Sequence, residues 1–568
     1  MSRLSWPRSP KLRRGRAAGF LFAIAIAAAQ ACSHAPAGGV TTPMGRPKLL
    51  GSGTLGDGSP NVVGGAPPAL GPQGRGPAEG ADSRYWKGRS DLIRPPAPPP
   101  AMELVLPRID RWALQNGLDV MAVPRHGLPI VSFSMAIKAG GYDEQKDRTQ
   151  GVADFVAAML RKGTRQRSAE AIAEAIDGVG GSLEAAAGME HSTITCSVLA
   201  KDAALCLNLL AQMVLTPTFP QNEMAEIRDQ ILASLAARID DPHQLAAEHF
   251  DNLLFGEGHP DGWVLSDDHV LAITREALVS FWKDFYRPNN TILAIAGDFD
   301  VATIKGAVAH AFGSWRSAPI PARPVFTIPA VKGTRVVLVD KPDLTQATLM
   351  FGHPGISHRD ADWYATTLVN YVLGGSDFSS RLMTEVRSKR GLTYGIGSSF
   401  GATLIQGAFR ISAATRNETA SEALAVAIGE VRKMKTAGPT SSEIAKAKGY
   451  YAGSIPFELE SAAGIAGGMV AAELHGLGTS YVRQLPLRLA GVDDAAARAA
   501  AASHLDPDDM AIVVVGRASE LEPELRRRLG HQPASTPLFE RIDYRAPISS
   551  AARRRGPPHP APPGPRAP

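Results

Sequence analysis

The chain has 568 residues, with 60 Lys+Arg against 55 Asp+Glu and only three cysteines. That length suits three to four domains' worth of chain, and three cysteines exclude a disulfide scaffold. The formal +5 comes from residues 1–31, which hold six basic residues and no acidic one; the remainder carries −1, which excludes the basic footprint of a nucleic-acid binder.

In chain order, the basic stretch ending at Arg16 leads into the short apolar run A-A-G-F-L-F-A-I-A-I-A-A-A. The run is too short to span a bilayer and fits the core of a signal peptide, assigned to residues 1–31. It ends at A-Q-A-C-S, which resembles a bacterial lipoprotein cleavage box and makes Cys32 the expected lipidated residue. Plain cleavage after Ala31 is the alternative. Both export the protein, and the lipoprotein reading anchors it in the envelope, facing the periplasm. Residues 36–100 contain 13 Pro and 14 Gly, so 32–103 reads as a disordered tether. A second Pro-rich tract, 545–568, closes the chain and includes the basic run Arg553, Arg554 and Arg555, read as solvated charge.

Between these tracts lies a pseudo-repeat. L-D-V-M-A-V-P-R at 118–125 matches R-V-V-L-V-D-K-P at 335–342, pairing Val123 with Val339 at an offset of 216. T-I-L-A-I-A-G-D matches M-A-I-V-V-V-G-R, pairing Gly297 with Gly516 at an offset of 219. Nearly equal offsets predict a duplicated domain, 104–318 and 325–530. Strand-like runs alternate with helical ones, such as 168–179 and 421–432. The expected class is α+β: two homologous domains, each a sheet with helices on one face, forming a clam-shaped half-chamber with disordered termini. Cys196, in a strand-like run, and Cys206, in the helix that follows, read as two buried free thiols, with a disulfide as the alternative. G-I-A-G-G at 464–468 lies in a helical context without G-K-[ST], so it is not a phosphate loop.

The segment G-V-A-D-F-V-A-A-M-L-R-K-G-T at 151–164 resembles the signature helix of the insulinase/pitrilysin zinc peptidases, the inverzincins, whose members include mitochondrial processing peptidase. D-D-P at 240–242, F-G-E-G-H-P-D-G at 255–262, F-Y-R-P-N-N at 285–290 and G-D-F-D at 297–300 extend the resemblance in the family's order. In that family the helix carries H-x-x-E-H, two zinc-binding imidazoles and a general base on one helical face. Here those positions are Asp154, Ala157 and Ala158, and Ser234 stands where the resemblance places the remaining Glu ligand. One carboxylate falls short of the three protein ligands of a catalytic zinc site. No H-x-x-x-H pair elsewhere replaces it. The helix instead reads as core packing through Val152, Phe155, Val156, Met159 and Leu160.

S-S-R-L-M-T-E-V-R-S-K-R-G-L-T-Y at 379–394 resembles the family's second-half substrate motif. The resemblance implies that Arg387 and Tyr394 donate hydrogen bonds to peptide carbonyls at the bond being cut. Some bacterial members similar to this chain pair a zinc-bearing subunit with one that lacks the metal and supplies the Arg/Tyr pair. The chain is therefore expected to be the non-catalytic subunit: no cofactor of its own, zinc on its partner, an extended peptide as substrate, a membrane contact through a lipid anchor and no nucleic acid. The competing expectation is a metal-free envelope scaffold.

Overall fold

The computed structural model describes residues 100–548, apart from 330, 331, 377, 403 and 530–537. The expected signal peptide, Cys32, nearly all of the tether and the tail beyond 548 lie outside the described residues.

The duplication is visible as two six-stranded sheets that share one topology over five strands. The first contains β1 (Asp110–Ala113), β2 (Asp119–Pro124), β3 (Ile130–Ile137), β4 (Ser182–Ala187), β5 (Ser192–Leu199) and β6 (Thr291–Gly297), in the spatial order β1-β2-β6-β3-β5-β4. The second contains β7 (Arg335–Asp340), β8 (Gln346–Pro354), β9 (Thr393–Ala402), β10 (Gln406–Arg416), β11 (Ala511–Gly516) and β12 (Leu538–Asp543), in the order β12-β7-β11-β8-β10-β9. The two sequence offsets reappear as register. Asp119 pairs with Ile292 and Pro124 with Gly297 in parallel, as Arg335 pairs with Ala511 and Asp340 with Gly516. The outer strands differ: β1 runs antiparallel to β2, whereas β12 runs parallel to β7 and comes from sequence beyond residue 530.

The central strands β6 and β11 are buried at every residue. This goes beyond the expectation of helices on one face, because a strand apolar throughout must be covered on both. The second cover comes from the other half. The helix Pro242–Phe255, in first-half sequence, packs on β8 and β11, with Leu245, Phe250 and Leu254 against Val337, Val339, Val513 and Val515. Reciprocally, Ala462–Leu474 packs on β3 and β6. This helix holds G-I-A-G-G. D-D-P explains the first crossed helix: Asp241 caps it by accepting the His243 and Gln244 N–H groups, and Pro242 fills the first turn, where no N–H is needed. Ion pairs fix both crossings. Arg410 of β10 meets Asp251 at 2.8 Å, and Arg111 of β1 bridges Asp119 and Glu473 at 2.6 and 2.7 Å.

The cysteine reading is corrected. Cys196 on β5 and Cys206 on the helix Ala203–Leu215 form a disulfide, with Cα atoms 5.9 Å apart. Only ten residues separate them, and the short 3₁₀ turn Ala200–Asp202 folds the helix back onto the strand that precedes it. Among the described residues no helix is long and apolar enough to cross a membrane.

Candidate functional site

The signature helix runs over Val152–Met159, and all five of its predicted core residues are fully buried. Its N-terminus is organised by a residue that sequence reading missed. The buried Glu144 carboxylate accepts the N–H groups of Gly151 and Ala153 at 2.8 and 2.7 Å. Burial outweighs these bonds and pushes Glu144 up to about 8, with the Asp154 charge adding to the rise. The Asp154 carboxylate makes no hydrogen bond or ion pair among the described residues, and burial alone raises it to about 7. Ala157 is 1% exposed within the first half's core, and Ala158 packs at its edge. Ser234 lies half-buried on the helix Gln221–Ala237, which packs along the signature helix. The chemistry of the four positions is one carboxylate, two methyl groups and a hydroxyl. That donor set does not fit zinc. Among the described residues no group of three or more His, Cys, Asp or Glu could hold a metal ion.

The family-like loop after the first crossed helix is structural. Asp261 accepts the Tyr142 hydroxyl at 2.9 Å, and His259 stacks on Phe255 at 5.1 Å. Burial holds His259 down at about 4 and raises Asp261 to about 7. These residues order the loop that joins Tyr142 to the crossed helix.

Arg387 and Tyr394 belong to the second half, so the structure keeps them apart from the signature helix, which packs in the first. Arg387 sits on the turn Met383–Ser388, which is wound as π-helix, with the Lys389 N–H bonded to Thr384 O at 3.0 Å. Gly391, at φ +63°, then reverses the chain, a conformation that costs glycine little. Its N–H returns to Arg387 O, and β9 starts two residues later. This reversal makes a spacing of seven into a contact: the Arg387 guanidinium lies 5.0 Å from the Tyr394 ring centre. A second ring, Phe378, lies 4.7 Å from the same guanidinium. Sequence reading missed Phe378; its only signal was an aromatic residue just ahead of S-S-R-L.

Both rings are open to solvent, Tyr394 at 88% and Phe378 at 71%. The Arg387 guanidinium makes no hydrogen bond or ion pair among the described residues. Glu385, two residues before it, is held by Lys389 and by Arg390 at 2.8 Å, and these cations hold it below the usual carboxylate range. The result is a surface cluster with an unused planar donor and an unused hydroxyl. It can donate hydrogen bonds to an incoming acceptor, and it holds no nucleophile or base.

The family profile described as "Insulinase (Peptidase family M16)" matches residues 120–259, and that described as "Peptidase M16 inactive domain" matches 272–450, which includes Arg387 and Tyr394. An uncharacterized zinc protease of Streptomyces coelicolor is 30% identical over 423 residues, covering 73% of this chain and 88% of that protein. One from Mycobacterium tuberculosis is 32% identical over 374 residues, covering 65% and 83%. Among solved structures, a peptidase M16 inactive domain from Pseudomonas fluorescens is 29% identical with a TM-score of 0.67, covering 72% of this chain and 98% of that one. A Helicobacter pylori protease, at 19% identity and a TM-score of 0.68, shares the fold over 72% and 100% of the two chains. With this coverage and a duplicated two-sheet fold, the chain belongs to the insulinase (M16) peptidase family.

Proposed function

We propose that the chain is the non-catalytic, peptide-binding subunit of an exported M16 metallopeptidase, working beside a zinc-bearing subunit. The observation that carries this reading is the contrast between the two halves. The signature helix has methyl groups where the family's chemistry needs a ligand and a base, while Tyr394 stands exposed beside a half-buried Arg387 and both side chains keep their donors unused. In this reading Tyr394 and Arg387 donate to carbonyls of an extended peptide at the bond being cut, and cleavage itself belongs to the partner. Donors set in advance where charge develops lower the barrier without reorganising. The Cys196–Cys206 disulfide supports export, because such bonds persist in oxidising compartments. The lipid anchor at Cys32 and a periplasmic location complete the proposal.

The test is steady-state proteolysis by the chain reconstituted with a zinc-bearing M16 subunit. Tyr394→Phe removes one exposed hydroxyl, so folding and pairing are retained while kcat falls roughly 100-fold. Arg387→Ala raises KM as well, because it removes charge and contact area. Unchanged rates in both variants would favour a metal-free scaffold instead. Labelling with a palmitate analogue, lost in Cys32→Ala, checks the anchor.

A further inference from the structure

We propose that Phe378 is a positioning residue: together with Tyr394 it brackets the Arg387 guanidinium and holds its N–H edge free for a peptide carbonyl. The inference rests on the peptide-binding reading of Arg387 and adds a residue that the sequence motif does not contain. Phe378 belongs to none of the three apolar cores and leaves 71% of its surface in water, so packing does not account for it. Its one described ring contact is the guanidinium at 4.7 Å, and Tyr394 holds the same cation at 5.0 Å. A guanidinium uses two different surfaces for two kinds of interaction. Its faces stack on aromatic rings, and its rim donates hydrogen bonds. Two rings therefore restrain the plane while leaving the donors unspent.

The surrounding charges serve the same end. Residues two apart on a helical turn face away from each other, and Glu385 is held by Lys389 and Arg390, so it does not draw Arg387 from the rings. Holding a long side chain in place before binding lowers the ordering cost that binding must meet. A leucine at 378 would keep apolar bulk but lose the π face, whereas tyrosine would keep both.

Two measurements test this. In protein labelled at arginine, the Arg387 side-chain resonances should be displaced by ring currents. They should move toward the random-coil position in Phe378→Leu and stay in place in Phe378→Tyr. Titration of a fluorescein-labelled unstructured decapeptide should give a Kd about three- to fivefold weaker for Phe378→Leu, the size of an exposed cation–π contact, and unchanged for Phe378→Tyr. In an Arg387→Ala background, Phe378→Leu should cost nothing further. An undisplaced Arg387 resonance in the wild type, or an equal cost of Phe378→Leu in both backgrounds, overturns the proposal. A wild-type chain that binds no peptide sinks the peptide-binding reading, and the resonance alone then decides whether Phe378 holds the arginine.

Discussion

At the scale of single residues, burial raises several carboxyls, two of them at the signature helix. Glu144 and Asp154 lie around the signature helix and are raised to about 8 and 7 by burial; Asp261 and Glu458 are raised to about 7 for the same reason. A raised carboxyl contributes stability that is complete below its unfolded value, near 4, and is lost as pH rises through its folded value. His191, His259 and His353 act in the opposite sense. Burial holds them near 4, so their contribution is complete above the unfolded value near 6.5 and is lost as pH falls. Below pH 6.5 the two groups oppose each other. Between pH 6.5 and 8 only the carboxyls still exchange protons differently in the two states. Stability is therefore expected to fall across that window, as read by urea midpoints at fixed salt. Glu144→Gln should flatten part of the fall, and it should lower stability throughout by about 1–3 kcal/mol, because one of two backbone N–H groups loses its acceptor.

At the scale of elements, the repeat is built on strand ends that admit no side chain. Gly297 closes β6 at φ +127°, and a Cβ there would lie 2.0 Å from Ile130 O. Gly516 closes β11 in the equivalent place, where a Cβ would meet Asn417 Oδ1 and Leu521 Cδ1 at 2.8 Å. Side chains can yield where a backbone oxygen cannot. Gly297→Ala should therefore cost more than Gly516→Ala, roughly 2–3 kcal/mol against about 1, from strain at an unfavourable φ added to overpacking. Thermal melts of the two variants check the order.

At the scale of the whole molecule, the halves are joined by exchange of helices rather than by a hinge. Each sheet is closed by a helix from the other half, with Asp251–Arg410 and Glu473–Arg111 at the crossings. Unfolding one half strips cover from the other, so denaturation should proceed as one transition. The Cys196–Cys206 link closes a short loop inside the first core. Replacing both cysteines by serine should lower stability by about 2–3 kcal/mol through the loop-closure term, and the single transition should survive at a lower midpoint.

The sequence by itself determined the duplication and the family. Both depend on side-chain identity at fixed spacing, which survives in one dimension. Equal offsets between Val123 and Val339, and between Gly297 and Gly516, become equal strand registers because hydrogen-bonded pairing preserves order along the chain. The tertiary structure alone decided which helix covers which sheet, since an apolar helix such as Ala462–Leu474 carries no label for its partner. It also decided that Cys196 and Cys206 join, because pairing depends on how a turn folds a helix back on a strand. Phe378 stayed hidden for the same reason. Its partners lie 9 and 16 residues away, beyond a π-helical turn and a glycine reversal, and only the folded path brings both rings to one guanidinium.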